Sequence, residues 1–448
     1  MSTPLFDALR ALSNQNTARF HMPGHKGTPS SAGFPFPIDY TETYGTGNLY
    51  EDEGPITEAE HAAAHYYNAA DCLFLTGGST QGVLSMLTAA CGIGSEVLLD
   101  RNCHRSVCHA LALLDLTPHF ILTDPEPVYG FCRPMTAEQV EQALVLHPNC
   151  RALLLTSPNY YGVRQPLREI AAVCRAHGIP LLVDCAHGAH FPAVGLPTPI
   201  EEGASACVMS AHKTLPAMGQ AALLLTDGSL DHSELRESSR LFGTTSPSYP
   251  ILASIDCARE WLESADWAAV VRACEEAREH ILAATPFLPF CSTADTEIDP
   301  TRLTICTAGT ELSGHALSDL LYKEYNIAVE MADSRNIVCI VTPFDLEDNL
   351  LRLLDALDAI ACTTAGTPLP PDVPLQPLPQ VMMSVRQAWF APREKTALTE
   401  AVGRICARPV TPYPPGVPIV LPGEEISSKH VVFLKNVCYN EDCEVVKV

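Results

Sequence analysis

Short apolar runs bounded by turn residues alternate with helical stretches through the first half of the chain. The runs are residues 71–75 (Asp-Cys-Leu-Phe-Leu), 96–99, 119–122, 152–155, 181–184 (Leu-Leu-Val-Asp), 206–209 (Ala-Cys-Val-Met) and 221–225. A strand buried on both sides has no polar face to show, so continuous apolar runs separated by helices predict a mostly parallel sheet with helices on both faces. The expected fold is therefore α/β, followed by a smaller α+β C-terminal domain. In such sheets ligands bind beyond the carboxyl ends of the strands, so the residues just after each run are the ones to search for chemistry.

The flanking patterns divide the rest. Residues 1–50 are rich in Gly, Pro and aromatics and read as an irregular N-terminal arm with one short helix near residues 4–12. The large domain spans 51–285, opening with a helical pattern from Ile56 to Tyr66 and closing with helices over 251–261 and 267–282. A helix is also expected over 83–91. A strand at 302–306 and a helix over 313–324 mark a small α+β region, 286–362. Residues 363–380 form a proline-rich connector too stiff to be helical. Beyond it, 381–448 is a C-terminal domain with a helix expected over 396–405.

Charge and cysteine content narrow the partners. With 52 acidic against 28 basic residues the net charge is −24, which excludes nucleic acid as a partner, because phosphates demand a basic face. No apolar run approaches the roughly 18 residues of a membrane span, and the first residues lack a basic segment followed by an apolar one. The expected location is the cytoplasm. The 18 cysteines include no CxxC pair and are expected to be reduced thiols.

Lys213 is the chemical focus. Between Lys26 and Lys323 no other lysine occurs, and Lys213 stands among Ser210, His212 and Thr214 just after an apolar run. Such an amine can condense with a carbonyl, the link by which proteins hold pyridoxal 5'-phosphate (PLP). A surface lysine is the plain alternative. A PLP site also needs an anion cradle, and Thr76-Gly-Gly-Ser-Thr-Gln-Gly82 follows a strand and precedes a helix, with Ser79 and Thr80 as hydroxyl donors. Taken alone it is a weak signal, and an ordinary strand-to-helix turn is the favoured reading. Asp184 ends an apolar run and is a candidate partner for the pyridine nitrogen, or a cap. His104, after the 96–99 run, could cover one ring face while Ala186 offers a small contact beneath the other. The pairs His21/His25, His104/His109 and His187/His190 lack the spacing and acidic partner of a metal motif, and no metal is expected.

Taken together, Phe20-His-Met-Pro-Gly-His-Lys-Gly27, Asp100-Arg-Asn-Cys-His104, Asp184-Cys-Ala-His-Gly-Ala-His190, Ser210-Ala-His-Lys-Thr214, Thr244-Thr-Ser-Pro-Ser-Tyr249 and Tyr413-Pro-Pro-Gly-Val-Pro418 with Pro422-Gly-Glu424 resemble the Orn/Lys/Arg decarboxylase family. This is a branch of fold type I PLP enzymes, similar in architecture to aspartate aminotransferase. The match runs through most of the chain in order and is to the short form, without an additional receiver-like domain. The resemblance implies a PLP-dependent decarboxylase of arginine, lysine or ornithine that gives a polyamine or its precursor. It implies that Lys213 carries the cofactor, that Asp184 pairs with the pyridine nitrogen and that His104 stacks on the ring. It further implies that Ser79, Thr80, Ala186, His187, Ser210 and His212 surround the cofactor. Thr245 or Ser246 would reach the phosphate of a neighbouring subunit in a homodimer or higher homo-oligomer, and His25 and Glu424 would lie near the basic amino-acid substrate. Cys185 departs from the glutamate of many relatives, and the cradle sequence departs by about one residue.

A PLP-dependent aminotransferase or lyase shares the sheet and the lysine. An aminotransferase commonly shows a late arginine for the substrate carboxylate, a role open to Arg386, Arg393 or Arg404. A non-catalytic regulator of PLP fold is the reading outside catalysis.

Overall fold

The computed structural model describes residues 2–15, 19, 22–23, 25–28, 33–364, 378–412, 416–436 and 442–447. Phe20, His21, Gly24, Tyr413, Pro414, Pro415 and most of the proline-rich connector, residues 365–377, lie outside these. The chain forms two compact units: residues 1–92, 151–157 and 167–265 make the first, and 93–150, 158–166 and 266–448 the second.

The large sheet is seven-stranded and mostly parallel, as the apolar runs predict. Its strands are β1 (Asp71–Leu75), β2 (Glu96–Asp100), β3 (Thr117–Ile121), β4 (Cys150–Thr156), β5 (Leu181–Asp184), β6 (Ala206–Met209) and β7 (Ala222–Thr226). In the first unit the order is β1-β7-β6-β5-β4. β4, β5 and β6 are parallel, and β7 runs against both β6 and β1. β1 is consequently parallel to β6, so β1, β5 and β6 all end on one edge, where β7 begins.

In the second unit β2 and β3 pair in parallel, in a register that sets Val97 beside Pro118. β3 starts two residues earlier than its apolar residues suggest. Proline lacks a donor, but β3 is the last strand in the sheet order and needs no partner on its outer side. The second unit also holds a four-stranded sheet built around Arg302–Cys306 and Asn336–Ile340, and a two-stranded one.

The helices Gly54–Tyr66, Tyr249–Ser264, Trp267–Ala284 and Gly314–Tyr325 appear where expected. The helix expected over 396–405 does not form. Residues Arg393–Thr396 are instead a strand paired with Cys443–Val446, a short 3-10 turn follows at Leu398–Glu400, and Gly403 sits at φ +80°, outside helical conformation. No helix among the described residues is long and apolar enough to cross a membrane. None of the described cysteines is in a disulfide, and most of them are buried.

One buried carboxylate stands out in the first unit. Glu60 accepts from the Phe74 amide of β1 (2.8 Å) and from Arg236 Nη2 (3.2 Å). Burial pushes its carboxyl up from 4.5 to about 7, against the pull of Arg236. A folded-state pKa above the unfolded one means that stability from this group is complete below about pH 4.5 and is lost as pH rises towards 7. Glu60→Gln is expected to flatten urea-unfolding stability over that window by on the order of 3 kcal/mol relative to the parent. An unchanged slope would place the titrating group elsewhere.

Candidate active site

The shared edge of β1, β5 and β6 gathers most of the residues that the sequence singles out. β6 leads through Ser210 into the short helix Ala211–Thr214, which carries Lys213. Lys213 Nζ lies 3.0 Å from His187 Nε2, in the turn after β5. Asp184, the last residue of β5, is buried, and its Oδ1 accepts from the Ala186 amide (3.2 Å). Burial lifts the Asp184 carboxyl above its ordinary range, and the Lys213 charge pulls it back down. The two residues thus meet electrostatically, as the positions of their strand ends predict.

The Ala186 carbonyl in turn accepts from the Ser210 amide (3.2 Å), stitching the β5 and β6 turns together. His212 Nδ1 lies 2.9 Å from the Ala221 carbonyl, which can only accept, so Nδ1 carries the proton and Nε2 is the acceptor of the neutral ring. Ser210 Oγ and Thr214 Oγ1 are buried and have no hydrogen-bond partner among the described residues. Buried hydroxyls without partners are costly, and one at a strand end fits a ligand that carries acceptor oxygens.

At the end of β1, the glycine-rich stretch is the first turn of the helix Gly78–Ala90, which starts five residues earlier than expected. Gly78 adopts φ +68°, and its amide donates to the Gln220 carbonyl (2.9 Å) beside the start of β7. Ser79 and Thr80 are half-buried in this first turn, where helix amides lack internal partners and the helix dipole favours an anion.

Gln81 and Gly82 have packing roles that their sequence position does not announce. Gln81 accepts from the Gly77 amide (2.9 Å) and donates to the Ser239 carbonyl (2.9 Å). A Cβ on Gly82 would lie 2.4 Å from Val208 Cγ2, so this glycine lets the helix lie against β6. Gly82→Ala is expected to destabilise the protein by about 1–3 kcal/mol, because overpacking against a strand outweighs the gain in helix propensity of about 1 kcal/mol. A raised melting temperature would contradict this.

Other sequence-marked residues lie elsewhere. Thr245 and Ser246 occupy an exposed loop between the helices His232–Phe242 and Tyr249–Ser264. His25 is engaged within the arm: Nε2 pairs with Asp39 (3.1 Å), Nδ1 accepts from the Gly27 amide (3.0 Å), and the ring stacks on Phe36.

In the second unit, His104 Nδ1 accepts from the Ser106 amide (3.2 Å) and contacts its hydroxyl (2.9 Å), which fixes the ring at the start of the helix Ser106–Leu114. Glu424 is buried and accepts through Oε2 from Arg101 Nη2 (3.0 Å) and the Leu421 amide (2.6 Å). Burial raises the Glu424 carboxyl, and Arg101 counters it. Arg101 has no signal of its own in the sequence, since its partner lies 323 positions away. The three late arginines are committed inside this unit: Arg386 to the Ala112 and Leu113 carbonyls, Arg393 to Glu444, and Arg404 to Glu394 and the Val446 carbonyl.

Two family descriptions match the chain: "Orn/Lys/Arg decarboxylase, major domain" over residues 3–294 and "Orn/Lys/Arg decarboxylase, C-terminal domain" over 374–442. The chain belongs to the Orn/Lys/Arg decarboxylase family. Members of this family are amino-acid decarboxylases acting on basic substrates. The arginine decarboxylase of Bacillus subtilis is 31% identical over 456 residues, which cover 96% of this chain and 93% of that protein. Among solved structures, the Francisella novicida lysine decarboxylase covers 99% of this chain and 81% of its own length, with a TM-score of 0.82 at 17% identity. An alanine–glyoxylate aminotransferase from Nostoc sp. covers 68% of this chain and 86% of its own, with a TM-score of 0.54 at 16% identity. These two likenesses are of fold, and they bear out the aminotransferase-like architecture that the sequence suggests.

Proposed function

We propose that the chain removes the α-carboxylate of arginine, with PLP as cofactor, to give the corresponding amine. The observation that carries the reading is the joint placement of Lys213, Asp184 and His187 at one sheet edge in a member of this family. Arginine is favoured over lysine and ornithine by the similarity to the Bacillus subtilis arginine decarboxylase.

The residues present fit the cofactor. Ser210 Oγ, buried without a partner, suits a phosphate oxygen, as do the first-turn amides at Ser79 and Thr80. Lys213 is the amine for the cofactor aldehyde, Asp184 the acid for its ring nitrogen, and Ala186, His187 and His212 line the place between. His104 is the proposed stacking residue. Bound there, PLP supplies an electron-poor ring that accepts the electron pair left when the carboxylate departs as carbon dioxide.

This chain's own residues prepare that step. His187 Nε2 is positioned to take a proton from Lys213 Nζ, leaving a neutral amine able to attack. Asp184, buried beside the Lys213 charge, presents a carboxyl that would share a proton with the ring nitrogen. The low accessibility of Asp184 and His187 limits water, which favours loss of a charged carboxylate. Lys213 Nζ, once it has regained the proton held on His187 Nε2, is one candidate donor to the substrate carbon, beside His212 and the N-terminal arm. The Arg101–Glu424 pair makes Glu424 a weaker candidate for binding the guanidinium, since its carboxylate is already neutralised.

The reading extends to a cytoplasmic homodimer, in which exposed Thr245 or Ser246 reaches the partner's phosphate site. It also keeps 1–50 as an arm, 51–285 as the PLP-binding domain, and 381–448 as a C-terminal domain beyond a small region and a linker. Incubation of purified protein and PLP with arginine, lysine or ornithine tests it. Equal amounts of carbon dioxide and amine, fastest from arginine, are expected. A keto acid without carbon dioxide would favour transamination.

A further inference from the structure

Glu96, His119 and His147 converge in the second unit, and none has a role above. Glu96 opens β2, His119 lies in β3, and His147 caps the helix Ala137–Leu146. Glu96 Oε2 is 2.8 Å from His119 Nε2, and Asn149 Nδ2 donates to Glu96 Oε1 (3.4 Å), which holds the carboxylate from its other side. The imidazoles of His119 and His147 stack, with centroids 3.7 Å apart and planes within 18°. One donor atom from each of the three residues lies within 4.8 Å of the others.

We propose that Glu96, His119 and His147 form a binding site for a divalent transition-metal ion of the zinc class. Two imidazole nitrogens and one carboxylate oxygen are a donor set suited to zinc, nickel or copper, with a fourth position left to water. Calcium and magnesium, which prefer all-oxygen shells, are disfavoured. Neutral imidazole and ionised carboxylate are the forms that ligate.

The ring stack opens for the ion to enter. A tetrahedral ion about 2.1 Å from each donor keeps donors about 3.4 Å apart, whereas rings stacked with their planes within 18° aim their nitrogen lone pairs side by side, so the half-buried His147 ring has to rotate away from His119 to point at the ion. When the ion enters, it displaces the hydrogen bond between Glu96 and His119. The proton on His119 Nε2 moves through solvent to Nδ1, and Nε2 becomes a ligand. The ion then ties the first residue of β2, the outermost strand β3 and the end of a helix into one clamp.

The test uses holoenzyme freed of metal by a chelator, with the exposed thiols Cys291 and Cys362 alkylated so that they do not compete. Calorimetric titration with zinc is expected to show one ion per chain, and each of Glu96→Gln, His119→Ala and His147→Ala should weaken it at least about 10-fold. With copper instead, electron paramagnetic resonance should show two coordinating nitrogens in the parent and one in His147→Ala. Where an alanine variant melts earlier without metal, His147→Phe keeps the ring stack but not the ligand, and should show the same loss. No binding tighter than millimolar, or zinc binding indifferent to all these variants, would leave the cluster a hydrogen-bonded Glu–His pair with a stacked neighbour and overturn the proposal.

Discussion

Lys213→Ala is expected to lower kcat for decarboxylation by at least about 10⁴-fold and to remove the visible absorbance that the holoenzyme shows with PLP. The size follows from the role. Without the amine, neither cofactor attachment nor product release has a nucleophile, and no other lysine occurs between Lys26 and Lys323 to substitute. Carbon dioxide release and absorbance, measured beside circular dichroism to verify folding, decide the matter. Retention of more than about one hundredth of the activity would mean that the chemistry does not pass through this side chain.

Asp184→Asn should reduce kcat by about 10²–10³, the loss seen when one preorganised charge-stabilising contact is removed from a reacting centre. The expected effect on stability has the opposite sign. Burial raises the Asp184 carboxyl, so ionising it at neutral pH opposes folding, and a neutral isostere keeps the acceptor for the Ala186 amide. Cofactor-free Asp184→Asn is therefore expected to melt no earlier than the parent. Loss of activity with unchanged or improved stability marks a residue held for chemistry at the expense of the fold. Parallel loss of both would make Asp184 a structural acid.

The strands of the large sheet were readable because burial on both faces turns them into apolar runs between turns, and all seven keep their positions to within about two residues. Asp184, which ends one such run, and Lys213, four residues past another, were readable in position for a related reason: polar residues at or just beyond the end of an apolar run sit on a sheet edge. The strand Arg393–Thr396 was not, since its residues are mostly exposed and charged, and its partner lies some 50 residues on. A misread helix was the result. Pairings across long separations gave no local sign either. His187 is 26 residues from Lys213, and Arg101 is 323 from Glu424, and nothing in the spacing of either pair announces the contact. Gly82 carries the same lesson in reverse, for a glycine that suggests a phosphate turn is fixed by the methyl groups of Val208.

The most direct test is borohydride reduction of the PLP-loaded protein followed by peptide mapping. The reduced cofactor should be found on the peptide containing Lys213, in an amount matching the lost absorbance. Its recovery on another lysine, or on none, would contradict the account at its centre.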